Sequence, residues 1–185
     1  MSLDDLTNAV KDEVLTPLQR KEYLTGCGIT KDAVENIIQQ GFLRAPASTK
    51  YHGNYAGGLF DHSHAVAEIL NYLTSMLDLK WMDKESPRRI GILHDMCKVD
   101  TYIKANDLWI YNDNRIFHGH GMLSVVYSQQ AGVPLNDEEI ACITYHMGPY
   151  GDEKDQKYYT EAVKRFPNVL WVHTADMIAS QIMGV

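Results

Sequence analysis

Six polar residues placed where a core should be set the tightest limit on this chain. His62, the adjacent pair His94 and Asp95, then His120, His146 and Asp176 all fall in the apolar pattern of segments that read as helices. Over residues 58–79 the period is that of one amphipathic helix, and His62 shares its stripe with Val66, Ile69 and Leu73. Ser86 and Pro87 read as the N-cap and first residue of a helix that carries Ile90, Ile92 and Leu93 and ends at His94 and Asp95. Asn136 with Glu139 forms a variant capping box, opening a helix on which His146 lies one turn after Cys142 and Ile143. His120 precedes Leu123 and Val126 on another helix, and Asp176 follows Val169 and Val172 on the last. Imidazoles and carboxylates thus face a common interior, where an unpaired polar or charged group costs on the order of several kcal/mol. A bound metal ion removes that cost, so the pattern predicts an all-α fold built around a metal site.

The rest of the chain fits one domain. It has 185 residues, of which 45% are hydrophobic and 22% charged, with no internal repeat or linker-like tract. A helix is expected over 3–24, broken near Pro17, and a second over 31–40, so that 1–45 form an N-terminal helical cap on the core. Residues 101–104 and 108–111 are β-like runs around Ala105-Asn106-Asp107, predicting a short hairpin whose Trp109 and Tyr111 could border a pocket. The polar stretch 147–159, with Gly148-Pro149 and Gly151-Asp152, reads as a loop suited to a lid or a partner contact.

Composition narrows the function classes. There is no apolar run long enough to span a bilayer and no basic-then-apolar leader, so a cytoplasmic address without membrane association is expected. Cys27, Cys97 and Cys142 lack metal-type spacing and read as reduced thiols, the latter two as core residues. A formal charge of −7 is a poor attractor for a long nucleic-acid backbone. A small phosphorylated substrate of nucleotide size needs only a local positive field, which bound cations supply.

The order of the six residues resembles the HD-domain superfamily of metal-dependent phosphohydrolases. The strings that carry the resemblance are Gly57-Gly58-Leu59-Phe60-Asp61-His62-Ser63, Leu93-His94-Asp95-Met96-Cys97-Lys98, Gly119-His120 with Ser124, Tyr145-His146-Met147-Gly148 and Ala175-Asp176-Met177-Ile178. The match runs from about Tyr51 to Ile182. It implies an HD-domain helical bundle in which His62, His94, Asp95 and Asp176 hold one divalent ion, and His120 and His146 complete a site for a second. The cyclic-dinucleotide subfamily with an HD-GYP signature is disfavoured, because His146 is followed by Met147 and no Gly-Tyr-Pro occurs. The segment from Tyr51 to Leu59 is similar to HD-containing bacterial exoribonucleases, but the OB domain those proteins add has no room here.

By the same resemblance Asp95 bridges two transition-metal ions, and a metal-bound hydroxide hydrolyses a phosphate ester. Imidazole and carboxylate donors suit Fe, Mn, Co, Ni or Zn alike. Lys98 is either a helix-end cation or, as in His-Asp-x-x-Lys hydrolases, a contact to the substrate phosphate; the catalytic candidates are Asp95 and Lys98. His118 competes with His120, which Ser124 favours. His64 is expected to face solvent, and His52 and His173 to lie beside the ligands rather than among them. Two rival classes share the ligand set: HD-fold di-iron oxygenases and non-catalytic nucleotide-sensing HD modules.

Overall fold

A computed structural model describes residues 2–150 and 153–185. Among them the chain is helical apart from loops and one two-stranded hairpin. No described helix is long and apolar enough to cross a membrane.

Helices start where the sequence supplies a cap. Ser2 and Asp5 form a capping box on α1 (Leu3–Asp12), and Thr16 and Gln19 form another on α2 (Pro17–Gly26). Pro17 sits in the first turn, where a missing N–H costs nothing, so the expected break becomes a clean restart. Thr30 caps α3 (Lys31–Gln39), whose Ala33, Val34 and Ile37 are buried. The central helix α4 (Gly58–Leu77) stops at Asp78 in the left-handed region, φ 52°. Against it packs α5 (Ser86–Leu93), so closely that a Cβ on Gly91 would stand 2.3 Å from Ala67 Cα. The short α6 (Lys98–Thr101) leads into β1 (Tyr102–Ala105) and β2 (Leu108–Tyr111), which pair antiparallel. Asn106 and Asp107, at φ 48° and 66°, make the positive-φ turn that a two-residue hairpin needs. Then come α7 (Gly121–Gln130), α8 (Asp137–Tyr145) with the full Asn136–Glu139 capping box, α9 (Glu153–Arg165) and α10 (Asn168–Met177). α10 runs directly into a π-helical turn, Ile178–Met183.

One hydrophobic cluster unites these elements. Ile69 and Leu70 of α4, Ile90, Ile92 and Leu93 of α5, Ile143 of α8, and Val169 and Val172 of α10 are all fully buried in it. Leu24, Val34, Ile37 and Phe42 from the N-terminal segment join the same cluster. A buried polar clasp ties α5 to α8: Glu139 Oε1 accepts from Ser86 Oγ at 2.8 Å and from Arg89 Nη1 at 2.7 Å.

Three expectations need correction. The stretch 147–159 is not a loop throughout, because a 3₁₀ turn at Gly148–Tyr150 is followed by α9; Gly151 and Asp152 lie outside the described residues. Tyr159, Ala162, Val163 and Phe166 pack against the core at helical spacing, a stripe masked by the polar composition around it. Ser86 does not cap α5; Glu85 holds that position, and the Ser86 hydroxyl is committed to Glu139. On α7 it is Val125, not Val126, that turns inward with Leu123.

Candidate metal centre

The six residues sit where helices end or cross. His62 lies in the first turns of α4, His94 is the C-cap of α5 with Asp95 beside it, His120 is the N-cap of α7, His146 the C-cap of α8, and Asp176 is near the end of α10. Their polar ends converge. His62 Nε2 lies 3.2 Å from Asp176 Oδ1 and 3.5 Å from Asp95 Oδ2, and His94 Nε2 is 3.4 Å from the same Asp95 oxygen. On the other side of that carboxylate, His120 Nε2 and His146 Nε2 approach Asp95 Oδ1 to 2.7 and 3.6 Å. His62, His94, Asp95 and His146 are each at most 2% exposed. His120 and Asp176, with side chains 35% and 16% exposed, are the open side of the cluster.

Backbone carbonyls fix which nitrogen faces inward. Nδ1 of His62, His94 and His146 lies 2.8, 2.7 and 2.7 Å from the carbonyl oxygens of Val185, Gly91 and Ile143. A carbonyl only accepts, so each Nδ1 carries a proton and each neutral ring turns the Nε2 lone pair to the centre. These lone pairs meet carboxylate oxygens, and His62 Nε2 meets His94 Nε2 at 3.3 Å. Acceptors facing acceptors require positive charge between them. Protonating the rings crowds like charges into one buried cluster, whereas a divalent cation meets all the lone pairs at once. Asp95 Oδ1, buried and without a well-formed hydrogen bond, fits the same reading. The donor atoms fall into compact sets, His62 with His94 and Asp176, His94 with Asp95 and His146, and Asp95 with Cys97 and His120, each within 4.8 Å.

A family comparison decides the kinship: the HD-domain profile matches residues 59–176. The chain belongs to the HD-domain family. It is also similar to dihydroneopterin 2′,3′-cyclic phosphate phosphodiesterase of Methanocaldococcus jannaschii, with 25% identity over 179 residues covering 86% of this chain and 70% of that protein. No solved structure matches this chain significantly. HD-domain membership, together with a phosphodiesterase relative, makes phosphohydrolysis the enzyme class of this chain.

Electrostatics within the HD centre follow from burial and pairing. Burial alone would raise the Asp95 pKa, but Lys98, His94 and His120 outweigh it and hold the carboxyl well below its usual range. Asp176 is likewise lowered, against burial, by His62 and His94. Burial works to lower His120, yet Asp95 lifts it to about 10. The same carboxylate that lifts His120 would favour a cation in that place. Lys98 is buried, with Nζ 2.5 Å from Asp95 Oδ2, and that carboxylate raises its pKa despite burial. It is therefore no solvated helix-end cation.

Other histidines divide sharply. His118 is exposed, leaving His120 as the inward one. His64 does not face solvent; it is 5% exposed, lies 4.5 Å from the Tyr23 ring and stacks on Phe60 at 5.9 Å. α4 is buried around much of its circumference, because the N-terminal helices cover the face that a solvated helix would leave polar. His52 lies alongside His62, with rings 5.0 Å apart, and His173 Nδ1 bonds the His146 carbonyl oxygen at 2.8 Å, both beside the cluster as expected. Burial first, then His62 and Lys98, lower the His52 pKa to about 4.

Sequence reasoning missed the contact of Cys97 with His120 and the bonding partners of Ser124. Cys97, expected simply as core, places Sγ 3.3 Å from His120 Nδ1. Ser124 Oγ accepts from Cys97 N at 3.1 Å and donates to the His120 carbonyl at 3.3 Å, tying α7 to the segment after the His-Asp pair. The step from His120 to Ser124 marked the serine, but nothing local to it signals the bond to Cys97 N. Of Trp109 and Tyr111, which could border a pocket, Tyr111 packs edge-on to Tyr102 at 6.1 Å and bonds Arg115.

Proposed function

We propose that this HD-domain protein hydrolyses a small phosphodiester, of the class of a nucleotide-derived cyclic phosphate, with the help of two divalent transition-metal ions. The observation that carries the reading is the division of Asp95: Oδ2 faces His62 and His94, while Oδ1 faces His120 and His146. One carboxylate between two donor sets suits a bridge between two ions. His62, His94, Asp95 and Asp176 would hold the first, and Asp95, His120 and His146 the second. The bound ions would supply Lewis acidity, lowering the pKa of water and polarising the phosphoryl group. The relative's printed substrate is a 2′,3′-cyclic phosphate, which supports a diester over a monoester.

The chain's own residues do the rest. Nδ1–H donation to three carbonyls keeps the imidazoles in one tautomer and orientation. Lys98 neutralises Asp95 Oδ2 and, when ions take over that task, is placed to contact a substrate phosphate oxygen. The exposed sides of His120 and Asp176 give the substrate its approach. In this reading residues 1–45 form a cap packed on α4, and three free cysteines suit a cytoplasmic setting.

The test is turnover under strict anaerobiosis. Protein stripped by chelation and reloaded with Mn²⁺ or Zn²⁺ should open 2′,3′-cyclic nucleotides to monophosphates, and should prefer them to long RNA. Turnover that appears only with iron and consumes dioxygen in proportion would replace the hydrolase with the HD-fold oxygenase. Phosphate ligand binding without any turnover would leave a nucleotide-sensing module.

A further inference from the structure

Beside the centre lies a groove of about 600 Å³, lined by Tyr51, His52, Ser180, Gln181 and Gly184. That size is ordinary for a small-molecule site. His52 connects it to the centre, since its ring lies against the His62 ring.

One wall is an organised loop. Ser48 Oγ donates to the His52 carbonyl at 2.8 Å and accepts from Tyr51 N at 2.8 Å, while Ala47 N bonds the Gly53 carbonyl at 2.9 Å. Gly53 closes the turn at φ 61°, where a Cβ would stand 2.6 Å from that of Ala47. The backbone is thus pinned on both sides of Tyr51, yet the residue is 80% exposed. The opposite wall is the π-helical turn, a wide-turn geometry frequent at functional sites. It presents Gln181, whose Nε2 donates to Ser180 Oγ at 3.5 Å and keeps a second N–H and its amide oxygen, and Ser180, whose hydroxyl donates to the Asp176 carbonyl at 2.9 Å and keeps one lone pair to accept. At Gly184 an added Cβ would meet nothing within 4 Å, so the groove is open there.

The two regions differ in charge. The centre gathers carboxylates and Lys98, whereas the groove is lined by an aromatic phenol, an imidazole, a hydroxyl and an amide. A ligand spanning both would place its phosphate at the centre and an uncharged, flat, polar portion in the groove. We propose that the groove binds a planar nitrogen heterocycle carried by the phosphodiester, Tyr51 stacking on its face and Gln181 and Ser180 bonding its edge. This names the substrate class and rests on the phosphodiesterase reading above.

Calorimetric titration with adenosine 5′-monophosphate and ribose 5-phosphate tests it, because the two share sugar and phosphate and differ in the ring. The wild-type protein should bind the ring-bearing ligand at least about tenfold more tightly, the scale of one base–aromatic stack. Tyr51→Ala should bring the two affinities within about twofold, and Tyr51→Phe should keep the preference. Gln181→Ala should narrow the discrimination between adenosine and inosine monophosphates. Equal affinity in the wild type, absence of binding at millimolar ligand, or a preference that survives Tyr51→Ala overturns the proposal. These readouts are independent of turnover: hydrolysis without ring preference removes the groove and keeps the hydrolase, and ring preference without hydrolysis does the reverse.

Discussion

Arg89 offers the sharpest test of what aligns the centre. Arg89 and Glu139 are 8% and 0% exposed, joined through guanidinium and carboxylate at 2.7 Å, and Ser86 adds a second donor to the same oxygen at 2.8 Å. Arg89→Met fills similar volume but leaves Glu139 as a buried carboxylate supported only by Ser86 and by Asn136 N at 3.0 Å. Removing one partner of a buried pair costs about 3–5 kcal/mol. The outer contact, Arg89 to Asp83 at 3.0 Å, adds little because Asp83 is 39% exposed. For a domain of this size each kcal/mol moves Tm by roughly 2–4 °C, so Tm should fall by roughly 6–20 °C. Urea melts of metal-free protein, with Glu139→Leu and the double variant completing a cycle, separate the pair from its parts. The double variant should recover most of the loss, since apolar replacement of both partners is close to neutral. A single variant within about 1 kcal/mol of wild type would refute the clasp. His94 and Asp95 follow α5, and His146 follows α8, so the same variant should also retain metal less well.

Other outcomes follow from the centre and its surroundings. Metal analysis should find two ions in the reloaded wild-type protein and none in Asp95→Ala; at most one ion under every loading condition would refute the bridge. Lys98→Ala should keep its metal while kcat/KM falls by about tenfold to a thousandfold, the scale of a charged transition-state contact, and unchanged kinetics would return Lys98 to a purely structural role. Burial lowers the His64 pKa from its ordinary 6.5, against the pull of Glu68, Glu13 and Asp61. A depressed histidine contributes stability above the unfolded value that is lost as pH falls below 6.5 towards the folded value. His64→Phe should flatten that part of the stability profile, and identical slopes in both proteins would count against it.

Local signals were legible and distant ones were not. Asn136 with Glu139 announced α8, Pro17 announced the break between α1 and α2, and Asn106-Asp107 announced the hairpin, because each acts within a few residues of itself. The inward placement of the six centre residues was readable from helical period. His64 was misread because its covering, Tyr23, comes from a helix 41 positions earlier in the sequence, and nothing near His64 encodes that. The Ser86 hydroxyl was assigned to a cap when its partner, Glu139, lies 53 residues away. α9 escaped because its apolar stripe is narrow and its opening residues are polar. Tyr51 and Gln181 carry no periodic signal at all, and only the meeting of a loop with the π-turn brings them to one groove.

The span between His62 and Asp176 also has a consequence for synthesis. During translation the His94-Asp95 pair emerges with His62 already available, while its remaining partners are still to come, the last on α10. A nascent chain therefore displays an incomplete, weakly chelating cluster until α10 has left the ribosome and docked on α4 and α8. Tight retention of an ion then reports a finished chain, so truncated products should be metal-poor and pass more readily to proteolysis.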